Sequence, residues 1–126
     1  MQDSKEIEMK KLFISCPMKD RTDAAIKATM KKMHRLAEII FDEELEIIPS
    51  YIGFPPPENV DKAIWMLGER IQMMSEADYY AGIAYVSDMW NDCRIEADVA
   101  AAYGIKSYFF DLSIVAPDCY TLVRDY

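Results

Sequence analysis

The sequence predicts a small doubly wound α/β domain, a parallel sheet of four to five strands with helices on both faces, and three observations predict it. Short apolar runs alternate with longer segments of helical period along the chain. The run at 79–86 is continuously apolar, as expected of a central strand covered on both sides. The 126 residues, 52% of them hydrophobic and 29% charged, suit one core and one domain spanning 1–126, with 1–10 as a flexible leading extension.

Each element has its own reason. Leu12, Phe13 and Ile14 lie between a lysine pair and Pro17, which makes them a brief buried strand. Thr22 then caps a helix whose apolar residues Ile26, Met30, Met33, Ala37 and Ile40 recur at helical steps, carrying it to about Phe41. Glu46, Ile47 and Ile48 form a second strand. Residues 49–59 contain four prolines, so they form a stiff loop that presents Tyr51 and Phe54. Asn59 or Asp61 caps a second helix, with Ile64, Leu67, Ile71 and Met74 as its core stripe. The third strand follows at 79–86. Asn91 or Asp92 opens a third helix that buries Ile95, Val99 and Ala102 and closes at Gly104. Residues 107–110 are a fourth strand, and the tail from Leu112 has two weak strand or helix candidates.

Composition excludes several functions. Twenty-two acidic against fourteen basic residues give a net charge of −8, which repels a nucleic-acid backbone. One histidine, His34, read as a surface residue, and three cysteines without a Cys-x-x-Cys pair build no usual metal site, so no metal is expected. No apolar stretch has the length of a membrane span or the position of a signal peptide, which points to a reduced, cytoplasmic protein. Neither a Gly-x-Gly-x-x-Gly nor a Gly-x-x-x-x-Gly-Lys run is present, which disfavours a standard dinucleotide or triphosphate site.

In a parallel sheet the chemistry gathers beyond the carboxyl ends of the strands, where the segments after each strand meet. The segment at 87–96 is the densest in polar groups, with Asp88, Asp92, Glu96 and Arg94 beside Trp90. A glutamate on the first turns of a helix, partly exposed and next to a second carboxylate, is the layout that breaks a glycosidic bond. One group captures the cationic sugar carbon and the other manages the leaving group. The same residues also fit a plainer reading, with Asp92 as a cap and Glu96 in a surface ion pair. Strand direction sets Asp78 at the end away from that pocket. Cys16 ends the first strand, yet no second histidine is available to activate it.

The stretches KLFISCPM at 11–18, AIWMLG at 63–68, MSEAD at 74–78, CRIE at 93–96 and AAAYG at 100–104 resemble the nucleoside 2-deoxyribosyltransferase-like superfamily, in a small branch found in bacteria and their phages. The resemblance covers about residues 11–110. It implies a flavodoxin-like sheet, a homo-oligomer, and cleavage or exchange of the bond between deoxyribose and a nucleobase with no cofactor. Glu96, Ala100 and Gly104 match the spacing of the family's nucleophile and the small residues after it. Asp78 corresponds to a family aspartate at the start of the third strand, against the placement drawn from strand direction. Asp88 and Asp92 compete for the aspartate that holds the sugar, and Ser15, Cys16, Pro17 and Met18 line the base or phosphate pocket. Two departures stand out: Asp98 replaces a glycine, and the bulky 92–94 segment replaces a small one.

The expected function is therefore transfer or hydrolysis of the N-glycosidic bond of a deoxyribonucleoside or its 5′-monophosphate. Glu96 is the nucleophile, Asp92 or Asp88 positions the sugar or assists the base, and Tyr51, Phe54 or Trp90 covers the base. The alternative is an inactive nucleotide-binding protein that sequesters an ADP-ribose-type signal, phage-encoded, with Arg94 on a phosphate. A nucleic-acid polymer and a membrane are not expected partners.

Overall fold

The computed structural model describes residues 8–51, 55–84 and 90–119. In chain order it contains β1 (Lys10–Ile14), α1 (Asp23–Phe41), β2 (Leu45–Ile47) and α2 (Lys62–Met73), the last running into a 3-10 turn (Met74–Glu76). Then come β3 (Tyr79–Ile83), α3 (Asn91–Ala102), β4 (Lys106–Phe110) and a short α4 (Leu112–Val115). The strands pair in parallel in the order β2-β1-β3-β4, a flavodoxin-like arrangement. From β1 the chain steps to β2 on one side and later to β3 on the other. A crevice therefore opens above the carboxyl ends of β1 and β3.

Strand alternation divides the interior in two. Leu12, Ile14, Ala81 and Ile83 pack on one face of the sheet with Ile26, Met33 and Ala37 of α1. Phe13 and Tyr80 pack on the other with Met74 and with Ala100 of α3. Each fully buried aliphatic side chain in these layers contributes about 1.5–3 kcal/mol through lost water contact.

The first helix forms as its sequence dictates. Thr22 Oγ1 accepts from Ala25 N at 3.1 Å, and Asp42 closes the helix in the left-handed region at φ 56°. Its last stripe residue, Ile40, is exposed. His34 is half-buried rather than on the surface, its Nε2 at 2.7 Å from the Leu45 carbonyl. β1 begins at Lys10, so a leading extension reaching residue 10 is too long by at least that residue. β3 is described as far as Ile83, and Tyr85 and Val86 lie outside the described residues.

The two helices on the other face depart from expectation. For α2 the cap is Asp61, whose Oδ1 accepts from Ile64 N at 3.1 Å, while Asn59 occupies a left-handed turn position. Ile64 is 71% exposed, and the one buried α2 residue is Arg70. α3 is rotated from the expected setting by about one residue. It buries Cys93, Glu96 and Ala100, and Ile95 is 40% exposed. Ala100 has no exposure, which lets the helix come close to the sheet, and a charged pair described below fixes the rest of that face. The residue before the helix is Trp90, with no side-chain cap, so neither Asn91 nor Asp92 caps it. Gly104 follows at φ 70°, the conformation in which glycine ends helices at little cost. Asp111 caps α4, accepting from Ser113 N at 2.8 Å, so the first tail candidate is helical. Among the described residues no helix is long and apolar enough to cross a membrane.

Candidate functional site

Ser15 lies one step beyond β1 and continues the sheet, its amide donating to Ala81 O at 2.8 Å. That bond sets its hydroxyl at the top of the sheet, under the first turns of α3. There Ser15 Oγ donates to Glu96 Oε1 at 2.6 Å, and Arg70 Nε donates to Glu96 Oε2 at 2.7 Å. The same guanidinium reaches further out, with Nη2 on Asp92 Oδ2 at 2.7 Å. One cation thus joins two carboxylates, one buried and one half-exposed.

Glu96 is 2% exposed, not the partly exposed carboxylate expected. Burial raises its pKa above the ordinary glutamate value and the Asp92 charge adds to the rise, while Arg70 and Ser15 pull the other way. Its two hydrogen bonds use one lone-pair site on each oxygen, and a carboxylate has about four. Capacity is left on the cleft side.

The cleft has a volume of about 360 Å³. Its floor is Glu96 and Cys93, and its sides are Cys16, Met18 and Lys19 from the loop after β1, Ala63 and Arg70 from α2, and Trp90 with Asn91 and Asp92 ahead of and within α3. Trp90 is held in place, its Nε1 donating to Lys19 O at 3.2 Å. Burial pushes the Cys16 thiol up to about 12, so it stays protonated and is no nucleophile.

Of the residues the sequence pointed to, Glu96, Asp92, Ser15, Cys16, Met18 and Trp90 come together here. Pro17 is fully buried behind the loop, with its carbonyl accepting from Arg21. Three others are placed elsewhere. Asp78 is at the opposite end of the sheet, where Oδ2 accepts from Lys11 N at 2.8 Å. Strand direction located it correctly and the family correspondence did not bring it to this cleft. Tyr51 is exposed and its hydroxyl bonds to Asp23 at the start of α1. Arg94 is on the outer flank of α3, with Nη2 on Asn91 Oδ1 at 2.9 Å. Phe54 and Asp88 lie outside the described residues.

Two arginines were missed. Arg70 sits three residues after Leu67 and four before Met74, on the very stripe assigned to the core, and a lone cation there signals a buried anionic partner. Arg21 threads the loop after β1, bonding Pro17 O at 2.8 Å, Thr29 Oγ1 at 2.7 Å and Asp118 at 3.0 Å.

These features define a flavodoxin-like α/β protein with a buried glutamate at the switch point of its sheet. No family model, no curated protein and no solved structure matches the chain.

Proposed function

We propose that the protein belongs with the nucleoside 2-deoxyribosyltransferase-like enzymes and breaks the N-glycosidic bond of a deoxyribonucleoside or its 5′-monophosphate, by transfer or hydrolysis. The observation that carries this reading is Glu96, buried on the floor of the cleft and oriented by Ser15 on one oxygen and Arg70 on the other. A carboxylate fixed in that way approaches a sugar carbon with little orientational entropy left to lose. Attack by a Glu96 oxygen on C1′ forms a glycosyl ester as the C1′–N bond breaks. The departing base nitrogen keeps the electron pair and takes a proton from water. A second base or a water molecule then attacks C1′ and gives up a proton to the hydroxide left by the first transfer, and the ester C1′–O bond breaks to return the free carboxylate. Asp92, at the mouth, holds sugar hydroxyls, and Trp90 covers the base. The volume of about 360 Å³ is near the low end of the range for small-molecule sites, a size for one nucleoside. A second copy of the chain closes the open side in the homo-oligomer this reading expects.

The test is to incubate the protein with the four deoxynucleosides and their monophosphates plus a free acceptor base, and to follow the bases by chromatography. Exchanged nucleoside or free base is expected, and Glu96→Gln lowers kcat by at least about a thousandfold, as loss of a nucleophile does. No release from any of the eight substrates overturns the reading. A second reading, a binding module without turnover for an ADP-ribose-type ligand, is favoured by one fact: both Glu96 oxygens already have partners. Calorimetry separates the two, since that module gives tight binding and unchanged ligand.

A further inference from the structure

The segment that joins β1 to α1 supplies one side of the cleft, and its tip is sharply bent. Residues 18–21 form a tight turn in which Arg21 N donates to Met18 O at 3.2 Å. Asp20 takes φ 62° within it, a left-handed setting that costs a residue with a Cβ and persists where the surroundings hold it. The turn carries Met18 and Lys19 into the cleft wall. Behind the turn lies the Arg21 guanidinium, its side chain fully buried. Nη1 donates to Pro17 O at 2.8 Å, at the root of the segment, and Nη2 donates to Thr29 Oγ1 at 2.7 Å, within α1. Nε and Nη2 meet the two Asp118 carboxylate oxygens at 3.0 Å each. This planar fork locks the root of the segment to the helix, which the single ammonium of a lysine could not do.

In front of the turn stands Trp90, 4% exposed, with Nε1 donating to Lys19 O at 3.2 Å. A buried indole N–H needs an acceptor, and the turn provides it. Trp90 precedes α3 without a side-chain cap, so the Lys19 carbonyl is what orients its ring. We infer that Arg21 is a positioning residue for Trp90: by holding the 18–21 turn from behind, it sets where Lys19 O stands, and Lys19 O sets the indole that walls the cleft. The meaning of this for turnover, a base held under that indole, rests on the glycosidic reading above, while the placement of the ring does not. Glu96 stands outside this series of contacts, because its own partners are Ser15 and Arg70. Arg21 therefore governs how the ligand is bound and leaves the carboxylate as it is.

Two readouts on the full chain test this. The sequence has two tryptophans, so in a Trp65→Phe background the emission is that of Trp90. There Arg21→Met moves the emission to longer wavelength and makes it easier to quench with acrylamide, as the indole is released toward water. Arg21→Lys, which keeps the charge and loses the fork, gives the same change to a smaller extent and serves if Arg21→Met does not fold. In turnover, Arg21→Met raises KM about tenfold with kcat nearly unchanged, the sign of lost binding and not of lost chemistry. Trp90→Phe raises KM too, and adding Arg21→Met to it raises KM no further. Met33→Ala, a core truncation away from the cleft, lowers stability and leaves both readouts where they were. Emission unmoved by both Arg21 variants overturns the inference. So does a KM change from Arg21→Met that is as large in the Trp90→Phe background, or one that Met33→Ala reproduces. If the wild-type protein turns over no nucleoside, the glycosidic reading falls, and the emission alone decides the role of Arg21.

Discussion

Arg21 and Arg70 both bury their side chains near the loop after β1, and the structure neutralises them in different ways. Arg21 gives its hydrogen bonds mainly to uncharged oxygens, Pro17 O, Ala25 O and Thr29 Oγ1, with one half-exposed carboxylate, Asp118, at the edge. Arg70 gives its bonds to two carboxylates, and one of them, Glu96, has almost no contact with water. The first arrangement is a clasp. It ties the loop to the chain near Asp118 and needs no exact charge balance inside the protein. The second depends on charge throughout, because removing either partner strands the other in a low-dielectric setting. A cation used as a clasp tolerates change in its anion; a cation used to hold a buried anion does not.

Breaking each arginine in turn sharpens that contrast. Arg70→Met leaves Glu96 buried beside Asp92 with no cation, and a loss of about 3–5 kcal/mol at pH 7 is expected by urea unfolding. The sign with pH follows from the direction of the Glu96 shift. Burial already holds its pKa above the usual value, and removing Arg70 raises it further. A carboxyl with a raised folded pKa favours folding below its unfolded value and loses that contribution as pH rises through the folded one. The deficit of Arg70→Met therefore shrinks between pH 7 and pH 5.

Arg21→Met leaves two carbonyls and a hydroxyl short of a donor, a loss of about 2 kcal/mol. Its deficit stays level over the same range. Partial burial of Asp118 opposes its ionisation, but the Arg21 hydrogen bond prevails and holds its carboxyl below the usual aspartate value. That contribution is present above the unfolded pKa and fades only as pH falls below it. If both deficits follow one pH course, the distinction between clasp and counter-ion is wrong.

The smallest effect belongs to Asp92→Asn. Asp92 is half-exposed, so stability changes by less than about 1 kcal/mol. Its charge raises the Glu96 pKa, so its removal moves the acid limb of the pH–rate profile downward. An upward move would mean that Asp92 serves Glu96 mainly by orienting Arg70.

The same contrast explains what could be read from the sequence. The face that packs on α1 is held by apolar burial, and its signals are local: a capping threonine at Thr22, a helical repeat through Met33 and Ala37, and a short apolar run from Leu12 to Ile14. The switch point and the cluster of Glu96, Asp92, Trp90, Ser15, Cys16 and Met18 were readable from where the strands end. The face under α2 and α3 was misread because apolar character stood in for burial. There Ile64 and Ile95 lie outward, while Arg70 and Glu96 lie inward, 26 residues apart in the chain. Arg21 and Asp118 are 97 residues apart, and no local pattern links them. Such partners show themselves only when the fold brings them together.

The far end of the sheet has its own influence on the cleft. Asp78 grips Lys11 twice, its amide donating to Lys11 O at 2.9 Å and its carboxylate accepting from Lys11 N at 2.8 Å. That double grip pins the alignment of β1 with β3 at the bottom. A slip of a single residue would swap the two sides of β1, turning Phe13 toward α1 and carrying the Ser15 hydroxyl away from Glu96. An aspartate far from the cleft thus acts as the index mark that keeps Ser15 and Glu96 in line.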